Sequence, residues 1–168
     1  MGLAQVTAAP ALILFQAFGF ERAVRRAGLL RLEWGSLAAF SVLLAVAPAQ
    51  SWALGAPPAA QWAVTFGHFW LTTIARVTAF TALFILVANS ALPEDRAKVN
   101  GLGQAAVSLV RAAGPPLFTP LFAWSVGDSS PENYAFTWLL MAGMAAGAAA
   151  YARTLPAWLE RKRVRGDA

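Results

Sequence analysis

Apolar residues in this chain gather in long uncharged runs separated by short charged clusters. Residues 1–20 contain no Asp, Glu, Lys or Arg, and neither do 34–75, 77–93, 112–127 or 133–152. A helix needs ~20 mostly apolar residues to cross a bilayer, and several of these runs are long enough. As one helix the run 34–75 would stretch ~63 Å, about twice the hydrocarbon thickness, so it must be broken. The break falls in APAQSWALGAPPAAQ, where Pro48, Gly55, Pro57 and Pro58 supply turn chemistry without charge. The pattern therefore predicts spans at about 2–20, 32–49, 61–90, 97–126 and 133–152. The first is expected to kink at Pro10, and the fourth to bend at Pro115, Pro116 and Pro120. ERAVRRAGLLR, PEDRAK and GDSSPEN read as connecting loops, and 153–168 as a basic tail.

Composition strengthens this picture. Hydrophobic residues make up 58% of the 168 and charged residues 12%, against roughly 25% charged in an ordinary soluble chain. The mean hydropathy is +0.55. The fold class expected is an all-α membrane protein with about five transmembrane helices, multi-pass in a membrane that the residues do not specify. There is no cysteine, which excludes disulfides, thiolate catalysis and cysteine metal sites.

The net charge of +5 invites a nucleic-acid reading, but the distribution of the charges excludes it. Eleven of the thirteen Lys and Arg lie outside the spans: four in the first loop, two in the third and five in the tail. The second and fourth connections carry none. By the positive-inside rule the first and third loops and the tail are cytoplasmic, and the amino terminus is outside. Trp52 and Trp62 flank one outer loop and Trp124 and Trp138 the other, as in an aromatic belt.

Candidate chemistry is sparse. Arg76 and Arg111 fall inside the third and fourth spans, where a charge costs at least ~2.5–3.5 kcal/mol and usually faces a cavity or a partner. They suit a translocation path, or equally snorkelling and the bonding of helix-end carbonyls. Glu21 and Glu33 read as the loop's acidic balance, and no carboxylate is counted within a span. His68, the only histidine, is a candidate for titration or an interfacial residue among Phe66, Phe69 and Trp70. Gln5, Gln16, Asn89, Asn100 and Gln104 suit either a substrate or helix-to-helix hydrogen bonds. Gly143-x-x-x-Gly147 permits close helix approach. No nucleophile elbow, phosphate loop or metalloprotease motif is present, so neither an enzyme nor a metal or cofactor is expected.

Two places together resemble the carboxy-terminal part of a major facilitator superfamily transporter. Glu21-Arg22-x-x-Arg25-Arg26-x-Gly28 is similar to that superfamily's cytoplasmic basic loop. Asn89-Ser90-x-x-Pro93, Val99-Asn100-Gly101 and Ser108-x-x-Arg111-x-x-Gly114-Pro115 resemble its tenth and eleventh helices, most closely in the drug/proton antiporter-like and zinc-induced-facilitator-like branch. Related motifs continue as GP-x-x-G-G, whereas Leu117-Phe118-Thr119-Pro120 stands here. The resemblance implies helices eight to twelve of the fold, with Glu21, Arg22, Arg25, Arg26, Gly28, Asn100, Gly101, Gly114 and Pro115 as motif positions. It further implies a secondary active transporter moving an unknown small-molecule substrate by alternating access, coupled to protons. Such folds bind substrate near the midplane between two halves, so this chain would supply one wall. The implied partners are the lipid bilayer and either the amino-terminal helices or a full-length relative. The alternative is a non-transporting scaffold or regulatory half-fold that assembles with such a relative.

Overall fold

The computed structural model describes residues 2–127 and 134–161, with backbone alone for residues 2–5. Among these residues every regular element is helical: α1 (Gly2–Leu14), a π-helical stretch (Phe15–Gly19), α2 (Phe20–Ala27), α3 (Leu29–Val46), a 3-10 stretch (Ala47–Gly55), α4 (Pro58–Ser90), α5 (Arg96–Gly127), α6 (Phe136–Ala152) and a 3-10 turn (Ala157–Glu160). The expected GDSSPEN turn, save its first residue, and the tail beyond Arg161 lie outside the described residues.

Helix boundaries follow the proline and glycine punctuation closely. Pro58 opens α4 at a position where its missing N–H would have had no partner. PEDRAK does turn the chain back: the Leu92 carbonyl accepts from the amides of Asp95 and Arg96, and Lys98 pairs with Asp95 at 3.0 Å. Two expectations are corrected. The chain stays helical through Pro10, and the irregularity comes five residues later, where the Phe15 ring lies over Gly19 so closely that a Cβ there would meet it at 2.7 Å. ERAVRRAGLLR is also no loop. Glu21 and Arg25 pair at 3.2 Å one turn apart, acid stands in the first turn of α2 and base in the last, and the segment is a short, solvent-facing helix. Only Gly28 interrupts it, with φ +83° and ψ 159°.

α3 is the central element, antiparallel to α4 on one side and α6 on the other. Ser36 and Thr78, then Leu43 and Leu71, share a groove between α3 and α4. Across the other face Ser41 Oγ donates to the Ala142 carbonyl at 2.8 Å, and the Arg153 guanidinium lies 4.8 Å from the Trp34 ring centre. Small residues make this approach possible: Ala75, Ala79 and Ala82 are buried on α4, and Ala142, Ala145, Ala149 and Ala152 on α6. Gly143 and Gly147 are exposed with open space around them, so α6 packs through its alanine register and not through the glycines. Two apolar clusters hold the ends of α3. Leu29, Ala82, Leu86 and Leu159 form one, and Leu44, Ala142 and Ala145 the other.

The layer is thin. α1 packs on α4, while α5 touches α4 and α6 and buries a single described residue, Ser125. The Thr137 hydroxyl donates to the Ser125 hydroxyl at 3.0 Å, tying α6 to α5. Two stretches are long and apolar enough to cross a membrane: Leu29–Gly55, 27 residues with 11% of its most apolar window buried, and Pro58–Ser90, 33 residues with 28% buried. α6 is apolar but shorter, and α5 is long but less apolar.

Candidate functional site

The sequence-derived candidates fall into separate neighbourhoods. Arg76 and Arg111 are both exposed, on α4 and α5, and Phe80 links their neighbourhoods. Arg111 lies over the Phe80 ring, 5.5 Å from its centre, and Phe80 sits one turn from Arg76 on α4. Gly103 approaches Val87 farther along. The antiparallel register from Gly103–Val87 through Arg111–Phe80 brings Arg76 level with Gly114 and Pro115. There the prolines free helix carbonyls: Pro115, Pro116 and Pro120 lack the N–H groups that would satisfy Arg111, Ala112 and Pro116. Both arginines are exposed and, among the described residues, neither is in an ion pair.

Asn100, Gln104, Ser108 and Arg111 follow at steps of four, four and three, so they form one polar stripe along α5. Gln104, Ser108 and Arg111 are exposed, and Asn100 is half-buried. Gly101 and Pro115 are exposed beside this stripe and Gly114 is half-buried. His68 is elsewhere. It is half-buried on α4, eight residues or ~12 Å along the helix from Arg76. Near it Trp62 and Phe66 stack at 5.4 Å.

Asn89 is 13 residues, or ~20 Å, from Arg76 along α4, and the structure gives it different company. Its side-chain amide is buried and donates to the Leu159 carbonyl at 3.1 Å. The next residue, Glu160, reaches back across the chain, and its Oε1 accepts the Leu30 amide at 3.1 Å. That amide belongs to the first turn of α3, which has no partner within its own helix. Glu160 thus caps α3 from a point 130 residues on. Gly28 and Glu21 border the same corner, around a recess of about 430 Å³ lined also by Phe20, Val24, Leu29 and Ile85. Arg22, Arg25 and Arg26 point to the exposed side of α2. Glu21 and Gly28 of the basic-loop motif are therefore brought together with Asn89 and Glu160, and not with Arg76 and Arg111.

Three polar groups were not among the candidates. Glu33 is only 3% exposed on α3, and among the described residues its Oε2 is buried without a hydrogen-bond partner. Thr78, across the α3–α4 seam, is also 3% exposed with an unpartnered Oγ1. Trp138, expected in an aromatic belt, packs against the Leu44 cluster with its Nε1 likewise unpartnered. A signal for Glu33 was available. Leu29, Glu33, Ser36, Phe40 and Leu44 recur at steps of three and four, which places the carboxyl on the packed face of α3.

No family model matches the chain, and no curated protein or solved structure does either.

Proposed function

We propose that this chain is a multi-pass membrane protein that forms part of a secondary active transporter, moving a small solute by alternating access with coupling to protons. The observation that carries the reading is the shared open face of α4 and α5, where Arg76 and Arg111 flank Phe80 among otherwise apolar exposed residues. Leu83, Leu102, Leu109, Val110 and Leu117 are exposed on the same two helices. Apolar surface on this scale suits lipid or further helices. Two guanidiniums at that depth require an anionic or carbonyl-rich counterpart. Arg111, at the end of the polar stripe of α5, and Arg76 on α4 would together belong to one wall of a solute path, and a second wall would come from further helices. The sequence resemblance to the carboxy-terminal part of a facilitator-type carrier is the second support for this reading. A non-transporting scaffold would present the same stripe to a partner helix, so flux is the discriminating measurement.

Because the chain has no cysteine, single cysteines test the arrangement cleanly. Ser51→Cys, between α3 and α4, is expected to react with an impermeant maleimide added outside intact cells. Lys98→Cys, at the start of α5, is expected to react only after permeabilisation. Labelling of both from the same side would exclude a crossing by α4.

Function is tested in membrane vesicles from cells expressing the chain, with a pH-sensitive dye reporting proton movement triggered by a panel of small organic anions and cations. Arg76→Ala is expected to lower solute-driven flux by about tenfold or more, the equivalent of ~1.4 kcal/mol of lost interaction, at unchanged protein abundance. Flux by this variant equal to that of the wild type would remove Arg76 from the path. Wild-type vesicles indistinguishable from control membranes across the panel would leave only the scaffold reading.

A further inference from the structure

The α3–α4 seam contains a carboxyl group that nothing in the packing accounts for. Glu33 is sealed between helices, next to the small residues of α4, and its Oε2 has no hydrogen-bond partner among the described residues. Ionised in this state, it would carry a desolvation cost of several kcal/mol, offset only in part by a hydrogen bond to the Leu83 backbone. The helix dipole gives little relief, because Glu33 is the fifth residue of α3 and the effect fades within the first turn. No cation reaches it either. On α4 the nearest charge is exposed Arg76, two residues from Thr78. On α6 it is Arg153, which is placed over Trp34. Arg31 on α3 is exposed, Arg25 on α2 is paired with Glu21, and Glu160 of the 3-10 turn is committed to the Leu30 amide. His68 lies far along α4, at the other end of the seam.

What faces Glu33 is polar but neutral. The antiparallel register that pairs Ser36 with Thr78 sets Glu33 between Thr78 and Ala82, the latter fully buried. From Thr78 and Ser36 an apolar groove of about 530 Å³ runs along the seam past Ala39, Ala75 and Leu71 and is open to the outside. Ser36 Oγ spends its hydrogen on the carbonyls of Leu32 and Glu33, which leaves the Thr78 hydroxyl as the polar group at the groove's inner end.

We propose that Glu33 is a reversible proton-binding site and that its deprotonation parts α3 from α4. With the seam closed, Oε2 carries the proton. When the groove admits water, the proton passes from Oε2 to a water molecule, and the carboxylate left behind is solvated through the opening, with Thr78 Oγ–H donating to it. Reprotonation closes the seam. This assignment rests on the transporter reading for its role as the coupling group, but the site itself can be tested without transport.

The experiment is infrared spectroscopy of the purified chain in lipid nanodiscs as a function of pH. Glu33 is expected to give a protonated-acid carbonyl band at neutral pH, when the exposed carboxyls are ionised. The band should vanish reversibly at alkaline pH and be absent in Glu33→Gln. If Glu33→Gln yields no folded protein, Glu33→Asp retains a carboxyl and should shift the band. A thiol probe at Ala39→Cys, in the groove, provides the second readout. Its labelling, divided by that of the exposed Ser51→Cys at the same pH to remove the ionisation of the thiol itself, should rise about tenfold per pH unit while the acid form dominates, and that ratio should become flat when Glu33→Gln is added. No acid band at neutral pH, a band unchanged by substitution of Glu33, or labelling independent of pH would each overturn the assignment. None of these readouts involves flux, so a failure of the transport reading would register in the Arg76 vesicle assay and leave this result distinct.

Discussion

Alanine at position 28 is expected to release the Pro156–Glu160 segment from the corner between α2 and α3 and to destabilise the chain by ~2–4 kcal/mol. Two separate costs combine. The backbone at Gly28, with φ +83° and ψ 159°, occupies a region that is essentially glycine's alone, and a side chain there costs ~1–3 kcal/mol. A Cβ would also lie 2.8 Å from Glu160 Oε1, so the carboxylate must leave. Its departure uncaps the Leu30 amide, worth ~1 kcal/mol, and loosens Leu159, which is buried beside Leu29 and Leu86. The check is amide exchange at Leu30 together with limited proteolysis after residue 156, each compared with the wild type. Unchanged exchange and unchanged proteolysis in Gly28→Ala would mean that the corner does not depend on this glycine. Glu160→Gln keeps an acceptor oxygen, and it should fall between the two.

The second large effect concerns the apolar cluster at the first end of α3. Ala82 has no exposed surface, and it lies where α4 meets Leu29, Leu86 and Leu159. Leucine would add three carbons to a seam that is close only because alanines line it. Overpacking of this kind costs ~1–3 kcal/mol and forces backbone movement. Ala82→Leu is therefore expected to lower the melting temperature in detergent and to expose the seam, whereas Ala105→Leu on the exposed side of α5 should stay within ~0.5 kcal/mol of the wild type. Equal melting temperatures for the two variants would show that α3 and α4 are not held by small-residue contact.

The contrast between these sites explains what could be read in advance. The limits of α4 and α5 were legible to within a few residues, because Pro57-Pro58 and PEDRAK punctuate the chain locally. Residues 21–27 were misread because charge density was taken as a sign of a loop. Yet a charged octapeptide with Glu21 and Arg25 one turn apart is a good helix. Glu33 was misplaced for the same reason, although its spacing from Leu29, Phe40 and Leu44 put it on the packed stripe. Arg76 and Arg111 were recognised as exceptional residues, but the placement of Arg111 over Phe80, one turn from Arg76, depends on the register of two long helices, and no local pattern encodes that. The bond between Glu160 and Leu30 was beyond local reasoning altogether, since nothing near either residue points to the other.

That last contact has a temporal consequence. Leu30 leaves the ribosome about 130 residues ahead of Glu160, at translation rates of ~5–20 residues per second. For several seconds or longer α3 exists with an open first turn, while α4, α5 and α6 are still being made. The corner at Gly28 is therefore sealed only after α4, α5 and α6 have been made, and Leu159 and Glu160 act as its closing stitch. A chain halted before that point would carry most of its helices and still leave this corner open to quality-control proteases.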